Sequence, residues 1–117
     1  MVEGSCHCGK VQIELDIAPE EVTDCNCSIC RRYGTLWAYY SPKQVRITET
    51  VPTQIYQWDD RALNFHRCAE CGCVTHWSPV DPSNNRMGVN ARLLTPTVLA
   101  AARTRHFDGA SYGNFTR

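Results

Sequence analysis

Every cysteine of the chain lies in one of three tight clusters. The eight thiols are found at Cys6 and Cys8, at Cys25, Cys27 and Cys30, and at Cys68, Cys71 and Cys73. Two thiolates two or three residues apart can bind one soft cation, and two such pairs complete a tetrahedral zinc site with Zn–S distances of about 2.3 Å. Neighbouring cysteines are poor disulfide partners for one another because the geometry of the cross-link is demanding. The spacing therefore predicts a metal framework, with zinc as the metal.

The middle cluster offers an odd number of ligands, the thiols of Cys25, Cys27 and Cys30. Structural zinc is normally closed by four protein ligands, whereas catalytic zinc keeps one position for water or substrate. Three thiolates donate strongly to a metal, so such a zinc is better suited to accept a substrate thiol than to generate hydroxide. The alternative is a second structural site closed by a protein group. Three residues are candidates for that group: His66, His76 and Cys73.

The third cluster contains the Cys68-x-x-Cys71 spacing followed by Gly72, which is the turn of a zinc knuckle. In this turn the two sulfurs and nearby backbone N–H groups converge on one point, and the N–H groups offset part of the negative charge of a four-thiolate zinc. One pair from the first cluster and one from the third therefore predict a closed structural zinc site. Cys73 is left over, as a spare ligand, a redox thiol or a small buried apolar side chain.

Short strands must position these clusters, because alternation of apolar and polar residues is the clearest pattern in the chain. It is cleanest at residues 11–17, where apolar residues alternate with Gln12, Glu14 and Asp16. Further strands are predicted at residues 35–41, 44–48, 54–58, 62–67, 74–77 and 87–94. The other predicted elements are a polar connector at 19–24, a helical turn at 28–34, a short helix at 96–103 and a loosely held tail from Ser111. The third cluster then lies at the tip of a hairpin, and the fold class is mainly β.

Composition and charge bound the class of protein. A chain of 117 residues predicts a single domain spanning 1–117. Twelve basic and twelve acidic residues leave no net charge, so no overall field favours nucleic acid or an anionic membrane. The first residues lack the features of a signal peptide, and no apolar run approaches the roughly 18 residues of a membrane span. We therefore expect a cytoplasmic protein with reduced thiols, and a secreted disulfide scaffold is the weaker interpretation.

Five segments of the chain resemble a known family. GSCHCGKV, CNCSICRRYG, FHRCAECGCVTHW, VNARLL and HFDG occur in this order. Together they are similar to the glutathione-dependent formaldehyde-activating enzyme family, also called the CENP-V/GFA domain. The resemblance extends from Gly4 to about Gly109 and implies the Mss4-like fold, in which coiled antiparallel β-sheets surround a zinc knuckle.

The resemblance also implies two zinc ions and an activity. The structural zinc would be bound by Cys6, Cys8, Cys68 and Cys71. The second zinc would be bound by Cys25, Cys27 and Cys30, which are the catalytic candidates. With three protein ligands in place of four, we expect this site to hold its zinc more weakly and to be only partly occupied. The implied reaction condenses formaldehyde with glutathione to S-(hydroxymethyl)glutathione, and its reverse is a carbon–sulfur lyase reaction. The implied partner is a small thiol such as glutathione, which Arg31 and Arg32 could attract as cations.

Two other functions compete with the lyase. The first is a non-enzymatic zinc module in which both metals are structural and the surface binds protein partners, as in other Mss4-like folds. The second is thiol redox chemistry through Cys73, since another branch of this fold reduces methionine sulfoxide. The redox function is the weakest of the three because the sequence offers Cys73 no distinct resolving thiol.

Overall fold

The computed structural model of the protein describes residues 1–111 and the backbone of residues 114 and 115. The expectation of a loosely held tail from Ser111 falls mostly outside the described residues. Within them, the strands are β1 (Val2–Ser5), β2 (Val11–Leu15), β3 (Glu21–Cys25), β4 (Trp37–Tyr40), β5 (Val45–Glu49), β6 (Gln54–Tyr56), β7 (Leu63–Arg67), β8 (Val74–Pro79), β9 (Met87–Asn90), β10 (Arg103–Asp108) and β11 (Asn114–Phe115). The helices are α1 (Cys30–Tyr33) and α2 (Pro96–Ala101), with 3₁₀ turns at Pro42–Gln44 and Ala91–Leu93.

The strands form two sheets. The smaller sheet has the order β1-β2-β5, and the larger has the order β11-β10-β3-β4-β9-β8-β7-β6. All pairings are antiparallel except that of β3 with β10, which is parallel. The predicted mainly β class with two short helices is therefore confirmed. None of the helices within the described residues has the length and apolar character that crossing a membrane requires.

Both sheets contribute to the main hydrophobic core. Ile13 and Leu15 of β2 pack with Val22 of β3 and Val89 of β9, and each of these side chains is at most 1 % exposed. The alternation predicted for residues 11–17 holds over β2, where Gln12 and Glu14 point away from this core. Burial of apolar surface at about 25 cal/mol per Å² is the main force that holds the two sheets together.

The predicted polar connector at 19–24 is wrong, because residues Glu21–Cys25 form β3. Val22 and Thr23 are almost fully buried, at 1 % and 2 % exposure. The two acidic side chains of the strand lie beside basic side chains of the parallel strand β10. Glu21 forms ion pairs with Arg103 and Arg105, at 3.7 and 3.4 Å, and the carboxylate of Asp24 lies 3.3 Å from Nδ1 of His106. Polar composition therefore concealed a strand whose partner lies some 80 residues away in the chain.

The end of the strand predicted at 87–94 also differs from the prediction. Residues 91–93 leave the strand predicted at 87–94 and form a 3₁₀ turn, because the side chain of Asn90 accepts a hydrogen bond from the backbone N–H of Arg92. Strand β9 packs closely on β8 at Gly88, where a Cβ atom would overlap the indole ring of Trp77. Glycine is therefore required at this position for the indole ring of Trp77 to approach β9 this closely.

Candidate metal centres

The first and third cysteine clusters meet in space. The sulfur atoms of Cys6, Cys8, Cys68 and Cys71 all lie within 4.8 Å of one another. The Sγ atom of Cys8 is 3.6 Å from the Sγ atoms of both Cys6 and Cys68. A tetrahedral ion with Zn–S bonds of about 2.3 Å places its sulfur ligands about 3.8 Å apart. The four thiols therefore fit a zinc ion in both number and spacing.

Two turns position these four thiols. Cys6 begins the turn between β1 and β2, where its backbone N–H donates to the carbonyl of Val11 at 3.0 Å. Cys68 begins the turn between β7 and β8, which closes through the Gly72 N–H and the Cys68 carbonyl at 3.0 Å. The backbone N–H groups of Val11 and Glu70 donate to the sulfurs of Cys6 and Cys68 at 3.3 and 3.4 Å. Because one turn belongs to the small sheet and the other to the large sheet, a metal here would link the two.

Backbone donors also favour the charged form of the fourth thiol. They lower the pKa of Cys71 to about 5, mainly through the N–H groups of Cys73 and Cys8. A thiol that is already a thiolate at neutral pH binds metal without first losing a proton. Cys73 packs beside Cys6 and Cys68, two of the four prospective metal ligands.

The middle cluster forms a separate group. The sulfurs of Cys25, Cys27 and Cys30 lie within 4.8 Å of one another, and no other His, Cys, Asp or Glu ligand atom of the described residues joins them within that distance. Backbone N–H groups donate to the sulfurs of Cys25 and Cys27, each at 3.5 Å. The indole N–H of Trp37 donates to the sulfur of Cys30 at 3.3 Å. The set is thus a three-thiol site whose sulfurs already receive hydrogen bonds, as metal-bound thiolates normally do.

A later segment of the chain braces this cluster. Asn26 lies between the first two ligands, and its side chain donates to the carboxylate of Asp108 at 3.1 Å and accepts from the N–H of Ala110 at 3.0 Å. A Cβ atom on Gly109 would come within 2.9 Å of the Cys25 sulfur, so only glycine allows this close approach. The hydrogen bond from the Cys30 thiol, aided by backbone donors that include Gly109, lowers the pKa of Cys25 to about 6.

The residues considered for closing the middle cluster lie elsewhere. Cys73 packs beside the four-cysteine site, and the ligand atoms of His66 and His76 group with Glu49. The two imidazole rings stack at 4.0 Å with an interplanar angle of 13°. A metal ion lies in the plane of an imidazole ligand, and two nearly parallel rings share no such plane. Both nitrogens of His66 are also engaged at 2.8 Å, by the hydroxyls of Thr53 and Ser78. These histidines therefore form a stacked pair, with His76 buried and His66 half-buried, whose hydrogen bonds go to neighbouring hydroxyls. Their arrangement does not suit a metal.

This pair predicts a loss of stability in acid. Burial, with a smaller contribution from His66, lowers the pKa of His76 from 6.5 to about 3. Because the unfolded chain takes up a proton at His76 below pH 6.5 and the folded protein does not, the stability that this group contributes above pH 6.5 is lost as the pH falls towards 3. At pH 5 the loss is about 2 kcal/mol. Denaturant melts of wild type and His76→Gln, at pH 7 and pH 5 with excess zinc, should give a flatter pH dependence for the variant. If the free energy of unfolding changed equally with pH in both proteins, His76 would not be the source of the acid sensitivity.

A cavity of about 240 Å³ opens beside the three thiols of the middle cluster. Six of its lining residues are aromatic: Trp37, Tyr39, Trp58, Phe65, Trp77 and Phe107. The lining residues also include Asp59 and Asp60. Asp60 is engaged in its own turn, where it accepts from the N–H of Ala62 at 3.1 Å. Asp59 has a left-handed φ of 56°, a conformation that non-glycine residues adopt rarely and often near functional sites.

Sequence reasoning missed most of this cavity. The sequence analysis singled out none of its aromatic residues, and neither Asp59 nor Asp60, as part of a site. A signal was present for Trp37, which follows Cys30 by seven residues in the strand after the cysteine loop. For Phe107 and Gly109 no local signal existed, because only the parallel pairing of β10 with β3 brings them to the thiols.

Comparison with known proteins gives a family and a structural neighbour. The model of the family described as glutathione-dependent formaldehyde-activating enzyme matches residues 1–107. A crystal structure of a Rhodobacter sphaeroides protein is similar, with a TM-score of 0.70 and 30 % sequence identity. The match covers 87 % of this chain and 98 % of that one. No curated protein matches the chain.

Proposed function

Because the chain belongs to the glutathione-dependent formaldehyde-activating enzyme family, we propose that it is a zinc-dependent carbon–sulfur lyase acting on the adduct of a small thiol, such as glutathione, with formaldehyde. The observation that carries this proposal is the middle cluster, in which three thiols without a fourth protein ligand among the described residues face a cavity. A purely structural site has no need of an adjoining cavity or of an open ligand position.

The proposal assigns two zinc ions. Cys6, Cys8, Cys68 and Cys71 hold a structural zinc, and Cys25, Cys27 and Cys30 hold the second. When bound, the second zinc supplies an open position for the substrate sulfur and lowers the pKa of that thiol, so that it is a thiolate at neutral pH. The four-ligand site binds its metal more firmly than the three-ligand site, because one position of the latter exchanges with solvent.

The chain's own residues have two tasks in this reaction. The aromatic walls exclude water from the reacting atoms and accommodate the apolar parts of the thiol. A carboxylate beside the cavity, that of Asp59 in particular, acts as the general base and general acid of the reaction. In the cleavage direction it takes the proton of the hydroxymethyl group while the C–S bond breaks and its electron pair remains on sulfur. In the synthetic direction the thiolate adds to formaldehyde, and the same carboxylate returns the proton to oxygen.

The setting proposed for this activity is a single domain spanning 1–117 in the cytoplasm, where thiols stay reduced and available to metal. A small thiol is the proposed partner, and nucleic acid and membranes are not. A second candidate is the zinc-stabilised protein-interaction module. It is favoured by the exposed apolar side chains of Ile55 and Tyr56, 52 % and 48 % exposed on the outermost strand β6 of the large sheet.

Turnover measured with controlled zinc content separates these candidates. The wild-type protein should cleave S-(hydroxymethyl)glutathione faster than the uncatalysed reaction. Mild chelation should remove about one equivalent of zinc and abolish the activity, while the circular dichroism spectrum remains that of the folded protein. Re-addition of zinc should restore both. A zinc-loaded protein that neither binds glutathione nor exceeds the background rate would eliminate the lyase and favour the interaction module.

A further inference from the structure

A second cavity adjoins the one beside the three thiols. Its volume is about 490 Å³, and it shares Ile29 and Trp58 with the thiol cavity as a common wall. Aromatic side chains, Tyr33 and Tyr56, form much of the remaining surface. A molecule bound with its sulfur at the cysteines can therefore extend past Ile29 into a larger space.

The second cavity carries two cations. Arg32 and Arg67 are among the residues that line it, and neither forms an ion pair with a carboxylate of the described residues. Arg32 is oriented by a hydrogen bond from its Nη1 to the carbonyl of Ser28 at 2.8 Å. Arg67 is half-buried on β7. Two guanidinium groups without carboxylate partners beside one cavity are a suitable binding site for a carboxylate.

The charges of the two cavities are opposite in sign. Asp59 and Asp60 line the thiol cavity, where a further carboxylate would be repelled, whereas Arg32 and Arg67 line its neighbour. An anionic thiol therefore has one favourable orientation, with its sulfur at the cysteines and its carboxylate beyond Ile29. Elsewhere in the protein an arginine such as Arg46 is already held by acidic side chains, at 2.8 and 2.6 Å from Glu14 and Asp16.

We propose, on the basis of the lyase function above, that Arg32 and Arg67 bind a carboxylate of the substrate and select a peptide thiol over a neutral thiol. The sequence pointed to Arg31 and Arg32 together as cations for such a thiol. In the structure Arg32 and Arg67 line the second cavity, whereas Arg31 lies outside both cavity walls.

The test compares a charged and a neutral thiol in matched variants. Arg32→Gln and Arg67→Gln should each raise the KM for S-(hydroxymethyl)glutathione about tenfold with little change in kcat, because the carboxylate contact is present in both ground and transition states. Turnover of the hydroxymethyl adduct of 2-mercaptoethanol should be unchanged. Arg31→Gln is the matched control and should behave as wild type towards both adducts. Arg67→Lys, which keeps the charge, should recover part of the loss.

Calorimetry makes the test independent of turnover. The zinc-loaded wild type should bind glutathione more tightly than glutathione diethyl ester, and this preference should vanish in Arg67→Gln. An unchanged preference, or an equal loss for charged and neutral thiols, would overturn the carboxylate site while leaving the lyase intact. Glutathione binding that depends on Arg67 without any turnover would instead keep the carboxylate site and remove the lyase.

Discussion

Replacing Cys68 by serine is expected to release the metal of the four-cysteine site and to lower the melting temperature of the protein by about 10 °C or more. Cys68 is 1 % exposed, and its sulfur lies 3.6 Å from that of Cys8 in the turn of the other sheet. The variant therefore loses a link between the sheets and leaves a buried hydroxyl among thiols. Because a metal that binds only the folded chain adds its binding free energy to stability, this change should be the most destabilising of those considered.

The measurement is a thermal melt combined with zinc counting on the purified variant. Cys73→Ser is the matched control, since it removes a thiol two residues beyond Cys71 that packs beside the site without belonging to the four-thiol group. The control should retain its zinc and melt close to wild type. A Cys68→Ser protein with full zinc content and the wild-type melting temperature would show that Cys68 is not a ligand.

The second large effect is expected on activity. Replacing Cys27 by serine should remove the middle zinc, abolish glutathione binding and reduce turnover of S-(hydroxymethyl)glutathione by at least about a hundredfold, because changes to outer-shell partners alone cost 10–100-fold. The fold should survive. The three thiols of this cluster lie on β3, the following loop and α1, none of which belongs to the small sheet. Loss of the middle zinc therefore leaves the link between the two sheets in place.

Glutathione binding by calorimetry and turnover against the uncatalysed rate measure this effect. Cys73→Ser again serves as the control for the loss of a thiol outside the proposed site, and it should retain binding and rate. A Cys27→Ser protein that turns over the adduct at the wild-type rate would place the chemistry elsewhere. A variant that unfolds would show that the middle cluster is structural, as in the competing module.

The cysteine clusters were predictable because their information is local. Ligands two or three residues apart share one turn, so spacing alone identifies Cys6 with Cys8, Cys68 with Cys71, and the trio Cys25, Cys27 and Cys30. The hairpin that presents the third cluster was equally clear and is confirmed as β7 and β8. The structure brings these thiols together as the sequence led us to expect. The zinc ions themselves remain a prediction.

The parts that were missed depend on partners distant in sequence. Strand β3 has the polar composition of a loop, and the basic side chains of β10 make its acidic side chains favourable there. Strand β4 shows no alternation in burial, because Trp37, Ala38 and Tyr40 are all buried. Periodicity therefore gave no indication that Trp37 points to the thiols. The neighbouring strands decide which face of an aromatic strand lies against a site, and this cannot be read from a single sequence.

The brace formed by Asp108, Gly109 and Ala110 affects the order in which the molecule can assemble during synthesis. A chain is made from its N-terminus at about 5–20 residues per second, and its early parts begin to fold first. All four thiols of the first site are present once Cys71 has been made. The loop of the middle cluster, by contrast, receives its contacts to Asn26 and Cys25 only after residues 108–110 have been added. The nascent protein thus passes through a stage at which the sheets can already be joined while the thiol-binding loop is still unsupported.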